Sequence, residues 1–275
     1  QFYFDQNYVD IILKNGFPDY FLNREIKFRQ EHSKLQFIIP ITKTFVNGYR
    51  ENIIKGRALA RISDKKVFNQ IMSDTLILLN TLQNIDNINI EINKYISALK
   101  DKINTKIDKI EYKFENKALL SSFKEFINIL LNEKYIDINK IPLCLSHGDL
   151  QSGNVWISDI DDKIYIIDWE TWGKRSVWYD QLVLILNLRK SNSLLPNLVN
   201  YLNNGLIECF RNTIYDSRTI DIKQKDKRKE IIKIFLLEDI LWHLEDTENL
   251  PDKIISFGSQ FYLNQINQKM LKQLL

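Results

Sequence analysis

A polar segment in the middle of the chain carries side chains that could transfer a phosphoryl group. Residues 147–154 read HGDLQSGN and residues 166–170 read IIDWE, so Asn154 follows Asp149 by five positions and Asp168 follows Asn154 by fourteen. A carboxylate such as that of Asp149 can orient an attacking hydroxyl and accept its proton. The oxygens of Asn154 and Asp168 are hard ligands, suited to the Mg²⁺ that bridges nucleotide phosphates. The spacing therefore predicts kinase chemistry, with a hairpin returning Asp168 to the loop.

Each of these residues also has a plain structural explanation. His147 to Asp149 could form a turn, Asn154 could be a cap, and Asp168 could end an edge strand. The joint pattern of His, Asp, Asn and a second Asp at this spacing is much rarer than any one of these features. We therefore favour the catalytic interpretation.

The two segments resemble the catalytic loop and the metal motif of the aminoglycoside phosphotransferase and choline kinase family, whose fold is protein-kinase-like. HGDLQSGN is similar to the family's H-x-D-x-x-x-x-N loop, and IIDWE to its I-D-[FW]-[E/D] motif. The resemblance implies that Asp149 is the catalytic residue and that Asn154 and Asp168 bind the metal. It further implies supporting roles, in which Asp180 braces the loop by hydrogen bonds and His147 positions it.

Two departures from protein kinases favour a small substrate. Gly148 stands where a protein kinase carries Arg, and only residues 171–179 separate Glu170 from Asp180, which leaves no room for an activation loop. The resemblance then implies a kinase that moves the γ-phosphate of ATP or GTP, with Mg²⁺, to a hydroxyl of a small cationic or sugar-like substrate. The alternative is a non-catalytic nucleotide-binding pseudokinase or scaffold.

The resemblance also assigns nucleotide contacts near the start of the chain. In kinases a Lys on a strand contacts the phosphates and is held by a Glu of the following helix. Lys14 closes the apolar segment 8–13, and Glu25 lies in NREIKF, which is similar to the family's R-E-I-x-F-Y helix. A surface Lys and a helix-face Glu are the plainer alternative.

The shift from β-rich to helical sequence places a hinge between two lobes near residues 51–61, and the resemblance implies that this hinge lines the adenine pocket. The backbone groups of Asn52, Ile53 and Ile54 would there contact the adenine ring. The family's first strand and phosphate-covering loop would precede Gln1, so we expect an N-lobe without its first strand.

Acidic and aromatic side chains in the C-terminal half are candidates for the acceptor pocket. Glu238, Asp239 and Trp242 lie on one predicted helix, Glu170 ends the metal motif, and Trp172 follows it by two positions. Acid with aromatic walls would bind a cationic substrate through ion pairs and cation–π contacts. Alternatively, Trp242 is a core residue and the charges form a solvated face.

Hydrophobic periodicity predicts an α+β, bilobal fold with a small β-rich N-lobe (1–55) and a larger, mainly helical C-lobe (56–275). Gly56 should end the β-rich part, and the chain beyond about Asp180 reads as helical. The predicted strands are 2–4, 8–13, 36–46, 49–55, 155–158 and 164–167, and Pro40 indicates that 36–46 lies at the edge of a sheet. The other predicted helices are 20–32, 66–82, 91–109 and 116–134.

The amino-acid composition limits the classes of partner that the protein is expected to bind. The 275 residues are 27% charged with a formal net charge of +3, and no block of Lys and Arg stands out, which disfavours nucleic acid. Cys144 and Cys209 are far apart and suggest neither a disulfide framework nor a zinc site, which favours a reducing, cytoplasmic location. The apolar runs are too short for a membrane span. The partner expected is a small-molecule substrate, and the sequence leaves the oligomeric state open.

Overall fold

The computed structural model describes residues 2–3, 7–135, 137–189, 194–205, 223–251 and 255. Cys209, noted above, lies outside them. The chain begins with a four-stranded antiparallel sheet in the order β1-β2-β4-β3. One helix, α1, connects β2 to β3 and packs against a 3₁₀ turn far along the chain, Trp169–Thr171. These elements are β1 (Phe2–Tyr3), β2 (Tyr8–Ile12), α1 (Tyr20–Glu31), β3 (Ile41–Phe45) and β4 (Gly48–Asn52).

The β3–β4 hairpin confirms one expectation and corrects another. β3 is an edge strand, as Pro40 suggested, because a residue without an amide hydrogen cannot continue a central ladder. The strand begins only at Ile41, however, so the prediction of strand from residue 36 was wrong. Residues 36–38 form a turn and a bend, and residues 39 and 40 have no regular structure. Phe37, Ile38 and Ile39 are therefore buried in the core without being part of a strand.

A second sheet joins the hinge region to the metal motif. β5 (Gly56–Ala58) pairs with β8 (Val155–Ser158), which pairs in turn with β9 (Ile164–Ile166), all antiparallel. Gly56 therefore begins a strand and does not end the β-rich part as expected. The β8–β9 hairpin agrees with the sequence prediction.

A third sheet holds the strand that leads into the catalytic loop. Its order is β10-β7-β6, with β6 (Ile88–Glu91), β7 (Lys140–Ser146) and β10 (Gly173–Ser176). β10 has the sequence GKRS, whose polar residues carry no strand alternation, and it was not predicted. Its pairing places Gly173 opposite Ser146, immediately before the loop.

Helices form most of the rest of the described chain. The three predicted between residues 66 and 134 are confirmed to within about three residues at their ends, the usual scatter for such boundaries. Asp64 caps the first of them by accepting hydrogen bonds from the Lys66 and Val67 amides. The helices are α2 (Lys65–Gln83), α3 (Ile92–Ile110), α4 (Lys117–Asn132), α5 (Tyr179–Ile185), α6 (Leu194–Asn204) and α7 (Lys225–Asn249).

Helix α7 runs through the core of the helical part. Ile231, Ile234, Phe235 and Leu237 on different sides of this helix are all essentially inaccessible to solvent. The helix also buries charged side chains, among them Glu238 and Asp239, which are compensated by hydrogen bonds and an ion pair. It packs against α3, α4, α5, α6 and β10, and so fixes the place of Asp239 and the residues that follow. In the described part of the chain, no helix combines the length and apolar character that a bilayer span would need.

Candidate active site

The loop after β7 is held by one carboxylate. Asp180, in the first turn of α5, accepts hydrogen bonds from the His147 amide at 2.7 Å and from the Gly148 amide at 3.0 Å. Two charge-assisted bonds to adjacent amides fix the direction in which the chain leaves the strand. This is the bracing geometry that the family resemblance implies for Asp180.

His147 ties the loop to the metal motif. Its Nε2 donates to the Ile167 carbonyl at 2.8 Å, and its Nδ1 accepts from the Asp149 amide at 3.2 Å. Complete burial lowers the pKa of His147, against the opposing effect of Asp180, so the ring stays neutral and keeps one donor and one acceptor. Its contacts are those of a positioning residue.

A glycine is required at position 148 for two reasons, the backbone φ angle and the lack of space for a side chain. Its φ is +91°, which residues with a Cβ rarely adopt. A Cβ at this position would lie 2.8 Å from Arg175 Nη1 and 2.9 Å from Thr171 Oγ1, and closer still to the Thr171 carbonyl oxygen. The position that carries Arg in protein kinases therefore has no room for a side chain here.

The β8–β9 hairpin brings the two predicted metal ligands together. Asn154 immediately precedes β8 and Asp168 follows β9, with Val155 paired to Ile166. The Ile167 amide donates to the Asn154 carbonyl at 3.0 Å, so the segments that carry the two side chains are adjacent. Asn154 Nδ2 donates to the Asp149 carbonyl at 2.8 Å, which joins this pair to the loop.

Negative charge accumulates around Asp168. The residue as a whole is exposed, yet desolvation by the surrounding protein, followed by the charges of Glu170, Glu25 and Asp149, raises the pKa of its carboxyl well above the usual range. Burial, followed by the charge of Glu25, raises the pKa of Glu170 to about 7. A divalent cation would relieve this repulsion, and carboxylate and amide oxygens are the ligands that Mg²⁺ prefers. The residues present therefore fit the implied metal.

The carboxylate of Asp149 is held by two side chains to which the sequence analysis assigned no role. Arg189 Nε donates to Asp149 Oδ1 at 2.8 Å, and Gln151 Nε2 donates to Oδ2 at 3.0 Å. Gln151 lies inside the loop, so its proximity was visible in the sequence. Arg189 lies 40 residues away, beyond the end of α5, and its position carries no local signal.

The structure does not bring Lys14 and Glu25 together. β2 ends at Ile12, and the exposed Lys14 lies beyond it with its ammonium 5.2 Å from the centre of the Phe17 ring. Glu25 pairs instead with the buried Arg29 at 3.3 Å, and Arg29 also pairs with Glu51 at 2.5 Å. The i,i+4 spacing of Glu25 and Arg29 on α1 was a readable signal for this pair.

Some of the backbone groups that were predicted to contact the adenine ring form hydrogen bonds within the protein instead. Asn52 ends β4 opposite Tyr8, and the Ile53 amide donates to the Asn7 carbonyl at 3.0 Å. That amide therefore does not face a nucleotide base in this structure. Ile54 follows between β4 and β5.

The predicted acceptor residues separate into two groups. Glu238 is buried and accepts hydrogen bonds from Tyr95 Oη at 2.6 Å and from the Ser176 amide at 2.6 Å, so it ties α7 to α3 and β10. Trp172 Nε1 donates to the Arg24 carbonyl at 2.9 Å and so holds α1.

Asp239 and Trp242 form the second group and reach the catalytic loop through Arg189. The guanidinium of Arg189 lies 2.8 Å from Asp239 Oδ1 and 4.3 Å from the centre of the Trp242 ring. Although burial alone would raise it, the charge of Arg189 lowers the pKa of Asp239 to about 2.

Comparison with known proteins identifies the family. The choline/ethanolamine kinase family model matches residues 18–182, which is more than half of the chain and includes the loop, the metal motif and Asp180. The chain belongs to the choline/ethanolamine kinase family. None of the curated proteins gives a significant match.

Solved structures of low sequence identity share the fold of this family member. An ethanolamine kinase from Plasmodium vivax superposes with a TM-score of 0.55 at 16% identity, covering 97% of this chain and 77% of the other. A choline kinase from Streptococcus pneumoniae gives 0.58 at 15%, covering 97% and 85%. A choline/ethanolamine kinase family protein from Mesorhizobium loti gives 0.54 at 12%, covering 98% and 85%.

Family membership confirms the fold and the general function expected from the two motifs. This choline/ethanolamine kinase family member has the α+β, protein-kinase-like fold, and it is a small-molecule kinase, a phosphotransferase with an alcohol group as acceptor. The pseudokinase alternative is not favoured. The roles of the individual residues remain proposals.

Proposed function

We propose that Asp149 orients and deprotonates an alcohol of a small acceptor, while Asn154 and Asp168 hold Mg²⁺ on the phosphates of ATP or GTP. The observation that carries the proposal is the hairpin register, which sets Asn154 beside Asp168 while the Asn154 amide bonds to the Asp149 backbone. When bound, Mg²⁺ would neutralise charge on the transferred phosphoryl group.

Asp149 is oriented for this role before any substrate binds. Its two oxygens accept one hydrogen bond each, from Arg189 and Gln151, which fixes the carboxylate plane and leaves further lone pairs for an acceptor hydroxyl. Preset geometry of this kind avoids the cost of orienting the base during the reaction. The proton of the hydroxyl would pass to this carboxylate as the oxygen attacks the γ-phosphorus. The bond between the γ-phosphorus and the bridging oxygen would break, so that ADP or GDP leaves and the phosphate monoester of the acceptor is formed.

The proposal leaves the donor as ATP or GTP and the acceptor as a small alcohol, cationic or sugar-like. We also propose a two-lobe division with residues 1–55 as the nucleotide-binding N-lobe and residues 56–275 as the catalytic and substrate-binding C-lobe. A cytoplasmic location is proposed as well, because the proposed reaction consumes a nucleoside triphosphate and needs Mg²⁺, and because Cys144 and Cys209 suggest no disulfide framework.

The test is consumption of ATP and of GTP, with Mg²⁺, against a panel of amino alcohols, polyols and sugars. We expect turnover with at least one acceptor, and Asp149→Asn should lower kcat by about 10²–10⁴-fold because the hydroxyl loses its proton acceptor. Asp159→Asn, at the exposed tip of the β8–β9 hairpin, is the matched control and should retain full turnover. Full turnover by Asp149→Asn would remove Asp149 from the proposed role.

A further inference from the structure

We propose that Arg24 of α1 is a positioning residue for the metal motif, and that it sets the place of Asp168 by holding the backbone of Trp172. The inference rests on the proposed function, because it takes Asp168 as a ligand of Mg²⁺. Arg24 lies outside both the loop 147–154 and the metal motif 166–170.

Arg24 and Trp172 hold each other by hydrogen bonds in both directions. Nη2 of the Arg24 guanidinium donates to the Trp172 carbonyl, and the Trp172 indole Nε1 donates to the Arg24 carbonyl at 2.9 Å. One bond joins the backbone of residue 172 to a side chain of α1, and the other joins its side chain to the backbone of α1. Trp172 therefore cannot shift along the helix without losing at least one of these bonds.

These bonds define a register that the apolar contact between α1 and this segment does not. Phe28, one turn after Arg24, has its ring centre 4.2 Å from that of Trp169 and 5.3 Å from that of Trp172. Burial of apolar rings stabilises the packing, but it is non-directional. Hydrogen bonds depend steeply on distance and angle, so they fix where along α1 the segment lies.

The other side of the guanidinium is anchored to α7. Arg24 Nη1 donates to Tyr20 Oη at 3.0 Å and lies 3.4 Å from Glu245 Oε1, and Tyr20 Oη donates to the same carboxylate. The side chains of Arg24 and Glu245 are only 20% and 23% exposed. Because a guanidinium is planar and its donors point in fixed directions, holding Nη1 in this way aims Nη2 at the Trp172 carbonyl.

A short, hydrogen-bonded turn connects Trp172 to Asp168. Trp169–Thr171 form a 3₁₀ turn, and the Trp172 amide donates to the Trp169 carbonyl at 3.3 Å. Thr171 Oγ1 donates to the His147 carbonyl at 3.1 Å, which ties the same turn to the catalytic loop. Only three residues separate Trp172 from Asp168, so a shift of the Trp172 backbone moves Asp168 as well.

The backbone of Asp168 requires support from both sides. Its φ is +68°, in the left-handed region that residues with a Cβ seldom adopt. Such a conformation is unfavourable and persists only where the surrounding structure holds it. Strand β9 holds the chain before Asp168, and Arg24 holds it after the turn that follows.

The first test is a binding titration that needs no turnover. ADP is titrated by calorimetry, with and without Mg²⁺, into the wild type, Arg24→Gln and the control Lys27→Gln, which alters a cation of α1 whose side chain is 64% exposed. We expect Arg24→Gln to bind ADP about tenfold more weakly with Mg²⁺ and equally well without it, and the control to match the wild type. Wild-type affinity of Arg24→Gln with Mg²⁺, or equal weakening with and without Mg²⁺, would overturn the proposal.

The second test asks whether Arg24 acts through Asp168. The double variant Arg24→Gln/Asp168→Ala is titrated with ADP and Mg²⁺ beside Asp168→Ala. If Arg24 only positions Asp168, its loss has no further effect once the Asp168 carboxylate is gone, and the two affinities agree. A further loss of about tenfold in the double variant would show that Arg24 acts on the nucleotide independently of Asp168, against the proposal.

A third measurement separates failure of the inference from failure of the proposed function. If the wild type binds ADP equally with and without Mg²⁺, the proposed metal site fails, and hydrogen–deuterium exchange of residues 166–176 without nucleotide decides the role of Arg24. Faster exchange in Arg24→Gln than in the wild type and Lys27→Gln supports the proposal, and unchanged exchange overturns it. If Arg24→Gln does not fold, Trp172→Phe, which keeps an aromatic ring but removes the indole donor, takes its place in all three measurements with the same expected results.

Discussion

Protonation of the Glu170 carboxyl, in the candidate site, makes the free energy of unfolding depend on pH. Its pKa is about 7 in the folded chain against 4.5 for an unperturbed Glu, so between these values the folded state binds more protons than the unfolded state. The free energy of unfolding is therefore highest below that window and falls as pH rises through it.

In the wild type, we expect the free energy of unfolding to fall between about pH 5 and pH 8. We predict that Glu170→Gln makes this fall smaller by on the order of 1–3 kcal/mol. The measurement is denaturant unfolding at both pH values without divalent cations. Glu125→Gln, which alters an exposed carboxylate on α4, should keep the wild-type pH dependence. An unchanged pH dependence in Glu170→Gln would show that its carboxyl is not destabilised by the fold.

At this scale the sequence predicted what is local. Asp149, Asn154 and Asp168 were recognisable because a loop and a short hairpin separate them, and local chain geometry alone brings them together. Arg189 could not be predicted, since its contact with Asp149 depends on where α5 ends and on its ion pair with Asp239 of α7, which lies 50 residues further along the chain. The pairing of Lys14 with Glu25 was expected from order along the chain, whereas Arg29 is the closer cation, on the same helix as Glu25.

The conformation of the loop 147–154 requires a glycine at position 148. We predict that Gly148→Ala lowers the free energy of unfolding by about 2–4 kcal/mol, because the new methyl meets Thr171 and Arg175 and φ is positive. Gly153→Ala, in the same loop, meets nothing within 4 Å and should stay within about 1 kcal/mol of the wild type. Thermal and denaturant unfolding of both variants provide the measurement, and equal stabilities would contradict the account of this loop.

Prediction at the scale of elements succeeded where side chains repeat with a period. Helices α2, α3 and α4 have apolar stripes that identify them, and the β8–β9 hairpin alternates around an acidic turn. β10 has no such pattern, because its polar side chains are satisfied by tertiary contacts such as that of Ser176 Oγ with Glu238. β10 is a strand because it pairs with β7. Its four residues carry no pattern that would predict a partner so far away in the sequence.

At the scale of the whole molecule, α1 links the first sheet to the metal motif. Phe28 of α1 is fully buried, and its ring stacks on Trp169 with centroids 4.2 Å apart. Trp169 directly follows Asp168, so this contact helps to set the position of the proposed metal ligand.

We predict that Phe28→Ala lowers the free energy of unfolding by about 3–5 kcal/mol through the cavity it leaves, and weakens Mg²⁺-dependent nucleotide binding. Ile77→Ala, on the exposed side of α2, should change stability by less than about 1 kcal/mol. Denaturant unfolding and nucleotide titration check the two parts. A Phe28→Ala variant with wild-type stability would mean that α1 does not anchor the site.

The central claim is that Asp168 joins Asn154 at a divalent cation that holds the nucleotide beside Asp149. The most direct measurement is calorimetric titration of ADP with and without Mg²⁺, at about pH 8, into the wild type, Asp168→Ala and the control Asp159→Asn. We predict that Asp168→Ala weakens ADP binding by about tenfold or more when Mg²⁺ is present and leaves it unchanged when Mg²⁺ is absent, while the control matches the wild type. An Asp168→Ala variant that binds ADP with Mg²⁺ as tightly as the wild type would contradict the account.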